Sequence, residues 1–585
     1  MDNSSFSKVL ADVAVLMQAR GDNVFKVRAH SKASDTIKSL SYPIANIAHD
    51  AEKLGELTGF GAGIIQVVQE IGNTGKLGLL DELLEELPDG VLELVQIPGI
   101  GPKTAVTAAN ELGISSYGDL ASSIEAGEFQ RLPRISKKGA VQILRHANMR
   151  IVQGSRIGLG SANDASQRVI SELKNRCGEV GKIEAAGSLR RAAELVGDIN
   201  LVCESESPEI ASKIIDAFTT LSNVNEVLEF DDSRAIFVNL EGLRFSIQIV
   251  EPDAYASALV YATGSIDHGD SLVEIADELG LSLTPKGLFD AGDQSLVPMS
   301  TESDVYQRLG LSFVPPEMRE NKSEMERAKS GDFDWIVSLD DIRGDLHIHT
   351  NWSDGRFSME EMVEAATERG LEYIAVTDHS PSATVANGLD PDMLLAHNDA
   401  VKDLAESSNL RLLTGTEMDI KPDGSLDYSD ELLADLDIVI ASIHSGMDQD
   451  SATMTQRVID AMESPHVDVI CHLTARLLGK RAPVEIDVEA VFEAAVRTGT
   501  VLEINASPDR LDLRADHVRR ANELGVLFAI NTDSHRTWQF DNMRYGVSTA
   551  VRGWVEADRV INTFQYAELK AFLALPKSQR YAFNE

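Results

Sequence analysis

Residues 344–355 read GDLHIHTNWSDG. His347 and His349 have the i, i+2 spacing that puts two side chains on one face of a strand, and Asp354 follows in a polar turn. Six further apolar, strand-like runs downstream carry similar residues. YIAVTDHS ends with Asp378 and His379, RLLTGTEMD carries Glu417, DIVIASIHS ends in His444, and VDVICHLT in His472. VLEINASPD ends in Glu503 and Asn505, and LFAINTDSH in Asp533 and His535. Nine of the 13 histidines lie past residue 340, and six of those nine fall at these run ends, which independently buried histidines would not do. His397, His466 and His517 fall outside the pattern and are expected to be structural.

Nitrogen and oxygen donors without thiolate suit zinc, manganese or iron(II), and so much imidazole is too soft for calcium or magnesium alone. His347, His349, Asp354, His379, Glu417, His444, His472, Asp533 and His535 are more ligands than one tetrahedral ion needs, so two or three divalent ions are expected. Clustered dications generate hydroxide at neutral pH and stabilise both the attacking and the leaving oxygen of a phosphoester. The chemistry expected of this half is phosphoester hydrolysis.

The elements that must position these groups are a β/α alternation from about residue 341 to the end. Parallel strands alternating with helices close into a barrel, and barrels carry their chemistry at the C-terminal strand ends. Ser358-Met-Glu-Glu361 is a capping box that opens the first outer helix.

The rest of the chain is organised differently. Residues 1–150 read as helices joined by glycine-rich turns, LTGFGAG (57–63) and IPGIGPK (97–103), each leading into an apolar helix. Such a turn exposes backbone N–H groups at the positive end of a helix dipole and suits a phosphate. This is the helix-hairpin-helix pattern, in which Gly99, Gly101 and Lys103 would contact a DNA backbone without reading sequence. A third turn, LPRISKK (132–138), has Arg134 and Ser136 where glycines are expected and reads as structural. Alternating strand-like runs fill 151–250, mixed patterns fill 251–315, and PPEMRENKSEMERAKSGD (315–332) reads as a charged connector. The domain boundaries expected are 1–80, 81–150, 151–250, 251–315, a linker over 316–340, and 341–585.

Composition narrows the setting. A chain of 585 residues exceeds a single core. It has no run of about 18 apolar residues, so no membrane partner is expected. Its N-terminus MDNSSFSKVL lacks a signal-peptide core. Cys177, Cys203 and Cys471 form no CxxC pair and fit a reducing cytoplasm. The net charge of −40 opposes the basic face that usually grips DNA. Two readings remain open: a high-salt cytoplasm in which screening shortens the repulsion, or a weakened hold on DNA.

The strand-end set resembles the polymerase and histidinol phosphatase (PHP) domain, a distorted seven-stranded barrel with a trinuclear metal centre, and all nine ligand positions match. The resemblance implies His347, His349, Glu417 and Asp533 around one ion. Glu417 would bridge to a second ion held by His444 and His472, with Asp354, His379 and His535 around a third. It also implies a catalytic role for His347, His349, Glu417, Asp533 and His535. HLTARLLGKR (472–481) and NASPDRLDLR (505–514) resemble stretches of polynucleotide-acting versions, making Arg476, Arg481 and Arg510 candidates for phosphate contact.

GSLRRAAELVGDIN (187–200) resembles the nucleotidyltransferase signature of family-X DNA polymerases. The likeness then covers essentially the whole chain, as a bacterial or archaeal family-X polymerase with a PHP exonuclease. It implies a multidomain fold: an all-α helix-hairpin-helix region, an α+β palm and thumb, and a (β/α)7 PHP barrel. The partner it implies is DNA with gaps or 3′ ends, met as a monomer.

The residues of the palm depart from that family. Its phosphoryl transfer uses three carboxylates on adjacent strands to hold two magnesium ions. Asp198 occupies the first position, Asn200 the second, and FSIQIV (245–250) puts Ser246 at the third. An amide supplies only a neutral oxygen, so magnesium binding is expected to fail. YATGSIDHGD (261–270) has Ala262 and Gly269 where the family's nucleotide clamp has an aromatic residue and an asparagine, and Val273 replaces an arginine. Gly187, Ser188 and Arg190 remain as phosphate-binding candidates. The expectation is a DNA repair protein whose working chemistry is a metal-dependent 3′–5′ exonuclease or 3′-end phosphoesterase. The rivals are an active polymerase with an exonuclease and a small-molecule phosphatase of the histidinol phosphate type.

Overall fold

The computed structural model describes residues 3–40, 42–133, 135–154, 156–320 and 323–582. It forms two compact units, one of Met1–Gly154 with Gly479–Ala482, the other of Ser155–Leu478 and Pro483–Glu585.

The first unit is helical around one apolar core. Helix Ala62–Thr74 buries Ile64, Val68 and Ile71, which share a face at helical spacing. Helix Pro102–Leu112 starts with proline in its first turn, where no amide donor is needed, and stops at Gly113. Both glycine-rich turns form as expected, with Gly59 and Gly99 at φ 91° and 95°, a left-handed conformation that side chains resist. In the third turn Arg134 lies outside the described residues; Ser136 accepts the Gly139 amide proton and caps helix Lys137–Gln153.

The second unit opens with a five-stranded sheet of β1 (Ile183–Ala186), β2 (Asp198–Glu204), β3 (Val224–Phe230), β4 (Arg234–Asn239) and β5 (Arg244–Val250). Their spatial order is β1-β2-β5-β4-β3, with β2 and β5 parallel and the other pairs antiparallel. Helices Leu159–Arg176 and Pro208–Thr219 pack on it. Helices Tyr255–Thr263 and Ile266–Glu278 and a short hairpin follow.

Of the stretch read as a charged connector, residues 321–322 lie outside the described residues; the rest is folded, because its apolar residues find a core. Helix Glu324–Ser330 buries Met325 and Ala328 beside Met318 and Phe333. Its two buried charges are matched: Arg319, fully buried, meets Glu302 at 3.0 Å, and buried Glu324 meets His268 at 2.8 Å.

The C-terminal part is a parallel sheet of seven strands in chain order: β6 (Gly344–Ile348), β7 (Tyr373–Val376), β8 (Arg411–Asp419), β9 (Ile438–Ser442), β10 (Val469–Ile470), β11 (Val501–Asn505) and β12 (Phe528–Asn531). One apolar cluster draws residues from every strand, with Phe564, Leu569 and Phe572 packed against it. The sheet nearly closes on itself. Just past β12, Ser534 O accepts the His349 amide at 2.8 Å, and the Asn562 amide group donates to Gly344 and Ile530 carbonyls at 3.0 and 2.8 Å. Among the described residues no helix is long and apolar enough to cross a membrane.

Candidate metal centre

The nine expected ligands come from the ends of six strands and the loops after them, and the barrel brings all nine together. Among the described residues they fall into overlapping sets, His347/His349/Asp533, His379/Glu417/His444 and His349/Asp354/His379/His535, and a set of His347, Glu417 and His472 that adds Cys471. Glu417, fully inside, faces both ways. Its Oε1 lies 2.7 Å from His472 Nε2 and 3.3 Å from His444 Nε2. Its Oε2 lies 2.9 Å from His379 Nδ1 and 3.5 Å from the Nε2 atoms of His347 and His349. Asp533 Oδ1 approaches His349 Nε2 at 3.3 Å, and Asp354 Oδ1 approaches His535 Nε2 at 3.2 Å. His472 and Asp533 adopt positive φ, 25° and 54°, a strained conformation that a ligand position can retain.

The outer partners decide which ring nitrogens are free. His347 Nδ1 sits 2.7 Å from Glu503, His444 Nδ1 3.2 Å from Asp419, and His535 Nδ1 2.9 Å from the Asp533 carbonyl. Each partner only accepts, so each Nδ1 carries a proton, and once the ring is neutral it is Nε2 that offers a lone pair toward the carboxylates. His347 Nε2 and His349 Nε2 also face each other at 3.1 Å. Asp354 Oδ1 is buried without a hydrogen bond. Lone pairs converging on lone pairs are repulsive until a cation lies between them, so this donor set fits divalent ions.

Without an ion the acids of the centre favour protonated rings at His347, His444 and His535, a demand for positive charge that a divalent cation would meet. Burial opposes charge, yet the surrounding histidines hold Glu417 and Asp533 well below the usual carboxylate range. Against the same burial, Glu417 and Asp419 push His444 up to about 9. Asp354 and Asp533 do the same to His535, which also reaches about 9. His349 goes the other way, to about 4, because burial and the neighbouring His535 and His379 disfavour its charge. His347, His349, Glu417 and His472 are sealed inside, whereas the side chains of Asp354, His535 and His444 are 34, 29 and 22% exposed, which marks the open side.

Sequence reasoning passed over Asp419, Glu503 and Cys471 as parts of this centre. Asp419 stands at i+2 from Glu417, on the same strand face, a signal that could have found it. Burial and Glu417 push the Cys471 thiol well above its ordinary value, so it remains a neutral neighbour. Asp378 is no ligand: Thr350, Ser353 and His397 occupy it.

The phosphate candidates divide. Arg510 lies at the centre, 3.2 Å from Asp533, with its Nη1 buried and unbonded. Arg476 does not present itself to a ligand: it meets Glu194 at 2.7 Å and donates to the carbonyls of Arg510 and Leu511. Arg481 is half-buried, and Gly99, Gly101 and Lys103 are exposed.

In the five-stranded sheet Asn200 is registered directly opposite Ser246, whose hydroxyl donates to Asn200 Oδ1 at 2.6 Å, and Asp198 stands opposite Arg244. Gly187 packs so closely that a Cβ there would lie 3.0 Å from Asn200 Nδ2, and Ser188 is half-buried beside it. Arg190 is engaged by Glu302 at 2.6 Å and by Thr263 at 2.9 Å.

Comparison with known proteins matches this architecture. Family models match at residues 1–77 (helix-hairpin-helix domain), 91–149 (SAM-like helix-hairpin-helix tandem), 258–320 (DNA polymerase beta thumb) and 345–507 (PHP domain). The chain is 36% identical to the "DNA polymerase/3'-5' exonuclease PolX" of Bacillus subtilis, over 98% of this chain and 99% of that protein. Over part of its length it is similar to proteins named "Probable phosphatase" from Thermoanaerobacter sp. (29% identical, 39% of this chain, 93% of that protein) and Shewanella sp. strain MR-4 (30%, 39% and 90%). With helix-hairpin-helix domains, a polymerase beta thumb and a PHP barrel in one chain, and a full-length relative well above the level of chance, the protein belongs to the PolX family.

Proposed function

We propose that the barrel hydrolyses phosphodiesters at the 3′ ends of DNA, and that the sheet carrying Asn200 and Ser246 no longer supports templated nucleotide addition. The observation that carries the first part is the set of histidines whose outer partners fix Nδ1–H and aim Nε2 into one carboxylate-lined mouth. Divalent ions such as manganese, zinc or iron(II), two or three of them, would be held there by the nine residues. When bound they would supply positive charge to the phosphate oxygens and a nucleophile at neutral pH. Asp354, His535 and His444 form the accessible rim through which a strand end enters, and Arg510 offers an unbonded guanidinium nitrogen to a phosphate oxygen. The helix-hairpin-helix turns would hold the DNA backbone. DNA with gaps or free 3′ ends, acted on by a monomer in the cytoplasm, completes the reading.

Support for the second part is local. The neutral Ser246–Asn200 hydrogen bond occupies the adjacent strand positions where a magnesium pair would require carboxylates, so this sheet would not hold magnesium.

The test is release of mononucleotides from a 3′-labelled single strand by the manganese-loaded protein, with His349→Ala and Asp533→Ala as inactive controls. An intact 3′ end in the wild type would refute the reading. The phosphatase reading is favoured by the relatives of that name, which match 39% of this chain. Turnover of free phosphate monoesters in preference to DNA would select it.

A further inference from the structure

Arg510 reaches the metal centre from a loop that the barrel does not hold alone. Residues 506–513 follow the end of β11, and Arg510 extends from them to within 3.2 Å of Asp533. The backbone around it rests on the domain of the five-stranded sheet. Leu511 is 2% exposed and belongs to the same apolar cluster as Leu159 and Val196 of that domain. It adopts φ 44°, a left-handed conformation that side chains resist and that persists only where the surroundings impose it. Pro508 meets Gly160, in the first turn of helix Leu159–Arg176. The fit is so close that a Cβ on Gly160 would lie 2.7 Å from the Pro508 Cβ.

Charge joins the two sides as well. Arg476 donates from Nε to the Arg510 carbonyl at 2.9 Å and from Nη2 to the Leu511 carbonyl, so it grips two successive peptides of the loop. The same Nη2 meets Glu194 Oε2 at 2.7 Å. Glu194 directly precedes strand Leu195–Val196, and its own carbonyl accepts the Leu159 amide at 3.1 Å. Glu194 therefore sits at the start of the helix that carries Gly160, and the loop is held from one place by both charge and shape. The Arg476 side chain is 8% exposed, so Glu194 supplies the countercharge that keeps a nearly buried guanidinium in its orientation.

We propose that Glu194 and Gly160 are positioning residues for the barrel: through Arg476 and Pro508 they set where the Arg510 guanidinium stands at the metal centre. The inference rests on the reading of that centre as a phosphodiester hydrolase, in which Arg510 meets a phosphate oxygen. Neither residue is one of the candidate ligands. The domain whose sheet carries Asn200 and Ser246 then keeps a part in hydrolysis, as the support of one loop.

The test is a double-mutant cycle on the manganese-loaded full chain, read as release of mononucleotides from a 3′-labelled single strand. Glu194→Ala should lower kcat about tenfold at unchanged KM, because a misplacement near 1 Å costs a contact made at the reacting phosphate. In an Arg510→Ala background the same substitution should change nothing further, whereas independent structural losses would multiply. Glu194→Gln keeps an acceptor for Arg476 and should retain most of the rate. Should Glu194→Ala unfold, Gly160→Ala probes the other contact. Alanine suits a helix, yet its Cβ displaces Pro508, and the same loss of kcat, absent in Arg510→Ala, is expected. Amide exchange of 506–513 needs no substrate and should quicken in both variants, with 528–535 unchanged. Losses that multiply across the cycle, or kcat and loop exchange unchanged in both variants, would overturn the proposal. A wild type that leaves the DNA 3′ end intact would overturn the hydrolase reading instead, and loop exchange alone would then decide the positioning.

Discussion

If Asn200 and Ser246 occupy the places of magnesium-binding carboxylates, restoring both should create a site that is unstable without its ion. The two residues are in direct register on parallel strands, and their side-chain oxygens already approach to 2.6 Å. In Asn200→Asp/Ser246→Asp the hydrogen bond is lost and two carboxylates face each other at about 4 Å. At the effective dielectric of a protein surface their repulsion is about 4 kcal/mol, and screening at these half-exposed positions leaves roughly 2 kcal/mol. Asp198, two residues from position 200 on the same strand face, adds to it. A double-mutant cycle on the local opening free energy of β2 and β5, read by amide exchange, should therefore show an unfavourable coupling of about 2 kcal/mol in chelator. Millimolar magnesium should abolish or reverse that coupling in the double variant and leave the wild type unchanged. Extension of a primer across a gap by the same variant is the functional readout. Coupling near zero, with no response to magnesium, would refute the assignment of these two positions.

Three further outcomes follow from the same geometry. Glu417→Gln keeps the shape but removes the charge that both halves of the centre share; it should lose at least one bound ion by metal analysis and at least 100-fold in phosphodiester hydrolysis. Lys577 is held down to about 8 from 10.5, so between those values the unfolded chain binds a proton that the folded chain does not. Stability should thus rise with pH across that window, by up to about 3 kcal/mol, and Lys577→Met should remove the rise in thermal midpoint. Arg476→Ala should destabilise the protein by about 2 kcal/mol in denaturant, because it strands the Arg510 and Leu511 carbonyls and removes the partner of half-exposed Glu194, with KM for DNA unchanged. A raised KM at unchanged stability would instead make Arg476 a phosphate contact.

The barrel was legible because its signal is local and repeated. A run of β-branched and apolar residues ending in His, Asp or Glu recurs seven times, and parallel strands leave only one end at which such residues meet. What escaped detection depends on partners distant in sequence. Arg476 looks like any exposed basic residue until the fold sets it against Glu194, 282 positions earlier. Glu503 was visible as a strand-end acid, but its work is to orient His347, 156 positions away. The 316–340 stretch misled because its charges dominate the composition, while Met318, Met325 and Phe333, which do the packing, are widely spaced among them.

The near-closure of the barrel bears on when the protein can act at all. The seam between β6 and β12 is held largely by side chains and single amides, and the candidate ligands straddle it, with His347 and His349 on one side and Asp533 and His535 on the other. Ions bound across that seam favour the closed barrel over every open form, so metal affinity and barrel closure are a single linked equilibrium. About 180 residues separate the two sides, and synthesis delivers the second side last. A ribosome-bound chain therefore carries an incomplete centre until β12 emerges, which delays hydrolysis until the DNA-holding domains that precede the barrel have already been made.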